Sequence, residues 1–148
     1  MNSKTVGIAI ILLFVGAPSL FACIMDYTLV HPDGSEEQIV ADDPDQAVEL
    51  ITGITYILRT SYRENHRNCS VTPDDTIWLL DGSRWRESRD TQALLLESAM
   101  VWTQTAVRTN TGELTFTAQQ EGMRELEVIR VCDRDGYHGM VYFLVEQP

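Results

Sequence analysis

The sequence predicts an exported α+β domain: one antiparallel sheet of about five strands, with two to three helices packed on one face. Three observations lead there. A β-type alternation opens the body of the chain, helix-start signals followed by helical apolar stripes fill its middle, and a continuous apolar run from Met140 to Val145 closes it. Strands and helices in separate blocks are the pattern of α+β domains.

Residues 1–22 are expected to be an export signal. Lys4 precedes an apolar run from Val6 to Val15, and Leu20-Phe21-Ala22 leads to Cys23. A positive start, a short apolar centre and a small residue before the cut form a secretory signal. The run is about half the ~20 residues that span a bilayer. Leu20-Phe21-Ala22-Cys23 also resembles a bacterial lipobox, so Cys23 is a candidate for lipidation. Bulky Phe21 and the strand pattern that follows at once weigh against it. Periplasmic or secreted, and either soluble or tethered through Cys23, are the two expected states. Residues 23–148 then form one domain, since that length fits a single core.

Ile24 to Ala41 predicts a hairpin, because Met25, Tyr27 and Leu29 alternate with other residues up to the turn Pro32-Asp33-Gly34-Ser35. Asp43-Pro44-Asp45-Gln46 reads as a helix start, with Asp43 as cap and Pro44 in the first turn. Ala47, Leu50, Ile51, Ile54, Ile57, Leu58 and Tyr62 continue it as a helical stripe to about Glu64. Thr72-Pro73-Asp74-Asp75 repeats the cap logic for a short helix through Leu80, with a strand over Thr76 to Leu80 as the rival reading. A third helix is expected from about Asp90 to Arg108, apolar on most sides and therefore central. Leu114 to Ala118, Glu125 to Cys132 and Met140 to Glu146 predict a three-stranded meander. A phase slip in its second strand suggests a bulge near Val128.

Charge narrows the function classes. Beyond the signal there are ten arginines and no lysine against 22 acidic residues, a net charge of −12. Such acidity disfavours nucleic acid and anionic lipid surfaces and suits a cationic protein partner. Asp26, Asp33, Glu36, Glu37, Asp42, Asp43, Asp45 and Glu49 precede the first arginine, Arg59, so the N-terminal third is an acidic pole. The partner-binding candidates are Asp33, Glu36 and Glu37 on that pole, Trp85 between Arg84 and Arg86, and Tyr137 in the last loop.

No catalytic or cofactor motif stands out. His66, Cys69, Cys132 and His138 supply the ligand types of a structural zinc site, but their spacing matches no zinc pattern. Asp42-Asp43-Pro44-Asp45 reads as a helix cap rather than a calcium site, and Asp133-Arg134-Asp135-Gly136 as a turn. Neither metal nor cofactor is expected, and Asp81-Gly82-Ser83 is not a nucleophile elbow. The expected class is thus a non-catalytic binding protein, such as an inhibitor or immunity-type antitoxin for a cationic protein. A small envelope or secretion-assembly component and a hydrolase with an unrecognised site are the alternatives.

Export makes a disulfide the default for two of the three cysteines. Cys69 and Cys132 lie within the body of the domain, and their bridge would close a loop whose constraint stabilises by about 4 kcal/mol. Peptide mapping of protein from the envelope fraction should recover a Cys69–Cys132 linked pair; free thiols at both positions, or a bridge from Cys23, would refute that pairing.

Overall fold

The computed structural model describes residues 23–65, 72–87, 91–131 and 136–148. They form a β-sandwich of ten strands in two five-stranded sheets, not the expected α+β domain. Among the described residues there is no α-helix. The helical turns among these residues are two 3-10 turns, Pro44–Gln46 and Pro73–Asp75.

The first sheet contains β1 (Cys23–Val30), β2 (Glu36–Ile39), β4 (Thr55–Glu64), β7 (Leu94–Ala106) and β8 (Thr109–Ala118), in the order β2-β1-β4-β8-β7. The second contains β3 (Val48–Ile51), β5 (Ile77–Leu80), β6 (Ser83–Arg84), β9 (Gly122–Arg130) and β10 (Tyr137–Glu146), in the order β3-β10-β9-β5-β6. β3 and β10 run parallel, and the other strand pairs among the described residues are antiparallel.

Both cap readings found real caps, but each cap opens a single turn. Asp43 Oδ1 accepts from the Asp45 amide at 3.1 Å, and Gln46 Nε2 donates to Asp43 Oδ2 at 2.6 Å. The expected helix then resolves into β3, a turn at Thr52-Gly53, and β4. Residues four apart share a face in a helix and in a strand alike, so Leu50, Ile54, Leu58 and Tyr62 cannot distinguish the two. Gly53 decides it with φ of +83°, outside any helix. Past it, Tyr56, Leu58, Thr60 and Tyr62 are buried on one face at the strand period of two. β-branched Ile54, Thr55, Ile57 and Thr60 favour that outcome.

The third expected helix is likewise β7. Leu94 and Leu96 are buried, and Met100 and Trp102 pack on the core from the same face. Over Thr72 to Leu80, the rival strand reading holds for Ile77–Leu80.

The N-terminal hairpin is present as β1 and β2. The expected meander is split between the sheets: β8 joins β4 and β7, while β9 and β10 pair in the other layer. The hairpin and β10 therefore do not share a sheet. β9 pairs with β10 in unbroken register from Gly122 to Arg130, with no bulge at Val128. The apparent phase slip arises because Arg130 takes the inward place after Leu126 and Val128, leaving Ile129 and Val131 on the outward side. Register shifts fall instead in β7.

The core is aromatic at its centre. Phe116 of the first sheet meets Phe143 of the second at 5.7 Å between ring centroids, with Tyr56 and Trp85 at 5.9 and 5.5 Å. Toward one end, Arg130 is 2% exposed, and its guanidinium carbon lies 4.0 Å from the centre of the Tyr62 ring. Its Nη1 donates to Thr72 O, Pro73 O and Thr76 Oγ1 at 2.8–3.1 Å.

Arg130→Met keeps much of the volume but strips those acceptors of their donor. It should lower unfolding stability by about 2–4 kcal/mol, read from the urea midpoint. An unchanged midpoint would mean that the guanidinium does not hold the two layers together.

Candidate functional site

A cleft of about 420 Å³ opens between the β1–β2 turn and the β3–β4 segment, lined by His31, Glu37, Ala47, Glu49, Ile51 and Tyr56. Three local choices build it. Asp33 shapes the turn by accepting from Ser35 N at 2.9 Å and Ser35 Oγ at 2.6 Å, which puts His31 and Glu37 on either side of it. Parallel pairing of β3 with β10 buries Val48 and Leu50 and leaves Glu49 pointing out. Tyr56, buried at the start of β4, accepts from the Ile51 amide through its hydroxyl at 2.9 Å. Its ring meets His31 edge-on at 5.8 Å. The cleft thus offers two carboxylates, an aromatic wall and aliphatic Ala47 and Ile51. His31 Nε2 contacts one oxygen of Glu37 at 3.2 Å, leaving the other oxygen for a further donor.

The rest of the acidic pole is largely committed. Asp33 serves the turn, and the Ser35 hydrogen bonds hold its carboxyl below the ordinary carboxylate value. Glu36 pairs with Arg59 at 2.6 Å, and Arg59 also holds Glu113 at 2.6 Å. Those two partners, Glu113 foremost, raise the guanidinium above its usual value. Asp42 accepts from the Met140 amide at 2.8 Å from a left-handed backbone, φ +63°. Of the three acidic candidates, Glu37 alone lines the cleft. Glu49 was visible in the sequence only as one acid of the pole; His31 and Tyr56 carried no signal, since turn and register alone bring them together.

The two aromatic candidates face inward. Trp85 is 6% exposed and donates its indole N–H to Leu94 O at 2.8 Å, so it is part of the core. Tyr137 is half-buried, and its ring lies so close to Gly139 that a Cβ there would come within 2.2 Å of the hydroxyl. Cys23 opens β1 with its sulfur buried 3.3 Å from the Tyr62 hydroxyl, and lipidation of that sulfur would require it to leave this position. Cys69, Cys132 and His66 lie outside the described residues. Among the described residues, no group of three or more His, Cys, Asp or Glu is placed to hold a metal ion.

The Tyr27 hydroxyl donates to Tyr137 across the sandwich at 3.1 Å. Burial first, then Tyr137, push Tyr27 well above its ordinary value of 10.0, and burial raises Tyr137 as well. A phenol whose folded value is raised contributes stability that is complete below the unfolded value and lost as pH rises toward the folded one. The contribution of Tyr27 should therefore be level up to about pH 10 and fall above it. Tyr27→Phe should flatten that fall in urea titrations at successive pH values; an identical alkaline slope would exclude Tyr27 as its source.

The chain matches no family model and no curated protein.

Proposed function

We propose that the protein is an exported, non-catalytic binding module that receives a basic side chain of a cationic protein partner in the cleft between Glu37 and Glu49. The observation that carries this reading is the pairing of two exposed carboxylates with an aromatic and aliphatic wall in one concave site. An arginine or lysine asks for that combination. Its charged head is held by carboxylate oxygens, its methylene stem lies on apolar groups, and a cation is favoured against an aromatic ring. The net charge of −12 over residues 23–148 adds long-range attraction for a positive partner and raises its association rate. An inhibitor or immunity-type antitoxin would use such a surface to cover a basic site on its target.

The test is capture from an envelope extract at low and high salt, followed by affinity measurement on the captured partner. Charge-assisted hydrogen bonds contribute about 1.5–3 kcal/mol each. The double variant Glu37→Gln/Glu49→Gln should therefore lose at least about tenfold in affinity. Its unfolding midpoint should stay within about 0.5 kcal/mol of wild type, because both side chains are exposed. Glu36→Gln, which disturbs only the Arg59 network, should retain the partner. Equal retention by all three proteins at both salts would reduce the acidic pole to a solvated face.

A further inference from the structure

β7 is an edge strand of unusual character for this chain. From Ser98 to Val107, one residue past its end, the chain runs ten consecutive residues with no charge, no proline and no glycine, in a protein whose residues 23–148 sum to −12. Ser98, Ala99, Val101, Thr103, Gln104, Thr105, Ala106 and Val107 are exposed, Val101 at 71% and Val107 at 84%. β8 pairs with one side of β7. On the other side, the segment at Glu87 covers the N-terminal part, through a bridge to Leu96 and a 2.6 Å hydrogen bond from the Ala99 amide. Beyond Ala99 no strand pairing is recorded on that side among the described residues.

Proteins ordinarily protect such edges with charges, proline or short strands, because an open ladder recruits another strand. The opposite edge of this sheet follows that rule: β2 has four residues, among them Glu36 and Glu37. β7 does not follow it, and its position is firmly held. Gly112 on β8 has no side chain, and a Cβ there would meet Met100 Sδ at 2.5 Å and the Trp102 ring at 2.8 Å. Met100 and Trp102 therefore lie across the glycine, and Trp102 meets Tyr62 edge-on at 6.4 Å. This packing anchors the inward side chains, and among the described residues no strand pairs with the outer ladder beyond Ala99.

We infer that the Val101–Ala106 edge is a self-association surface, on which a second copy of this chain adds its own β7 antiparallel to form a continuous sheet across a two-fold axis. Charge selects the occupant. Two bodies this acidic repel over most of their surfaces, and the neutral run is where two copies can meet without opposing like charges. An axis at Thr103 sets Val101 opposite Thr105 and Trp102 opposite Gln104, each pair uncharged and on one face of the sheet. This surface lies on the opposite edge of the first sheet from β2, which carries Glu37 of the cleft, so it does not compete with the proposed cationic partner.

Sedimentation equilibrium of the purified protein over a wide concentration range, at low and high salt, should show a monomer–dimer equilibrium that tightens as salt screens the net charge. Val101→Lys/Thr103→Lys opposes like charges whether the axis falls at Thr103 or at Trp102. It should weaken the dimer at least about tenfold. Asp26→Lys alters the net charge by the same two units on β1, away from the edge, and should leave the dimer intact or strengthen it. If the double lysine variant fails to fold, hydrogen exchange on wild type replaces it: amides between Val101 and Ala106 should gain protection as concentration rises. A protein that stays monomeric throughout would overturn the inference. So would a dimer indifferent to the lysines, or one whose added protection lies elsewhere.

Discussion

One buried guanidinium ties the two layers and a connecting turn together. Arg130 stands in the second sheet, stacks on Tyr62 of the first, and donates to the turn at Thr72–Thr76 that leads into β5. A sandwich joined only by apolar faces resists sliding through side-chain interdigitation alone. A directional cation fixed by carbonyl oxygens and an aromatic face defines one relative placement. Removing its partners singly would leave a charge stranded in the core, which costs more than the pair contributes.

Placement of the layers decides what the acidic end can do. β3 belongs to the other sheet from the hairpin, which it joins through β10, so Glu49 and Glu37 line one cleft from different layers. Most neighbouring carboxylates are used in turn, cap or ion-pair geometry, and exposed pairs such as Glu36–Arg59 contribute at most about 1 kcal/mol each. What distinguishes Glu37 and Glu49 is not their charge, which many residues share, but the concave wall between them.

Strand existence was legible wherever alternation was short and bounded by turns, as in the N-terminal hairpin and the segments that became β8, β9 and β10. Fold class was not. Apolar residues at four-residue spacing satisfy helix and strand geometry together, and two good caps tilted the reading toward helices that stop after one turn. Gly53 carried the contrary signal, as did the threonines and β-branched residues from Thr103 to Thr111. Arg130 hid a regular strand by filling an inward place with a charge. The site was legible only as an acidic pole, because which acids face a cleft depends on register between strands far apart in sequence.

The parallel pairing of β3 with β10 also constrains how the molecule is made. Phe143 lies beside Val48 and Val145 beside Leu50, so the second sheet closes only when the last strand has arrived. β10 is not an edge addition, since it separates β3 from β9. A chain released from its N-terminus can form the β1–β2 hairpin early, but its second layer must wait for the C-terminus, and pairing at such sequence distance is slow. The first layer, built from residues 23–118, can therefore form ahead of the second, and the sandwich closes only when β10 is free to pair.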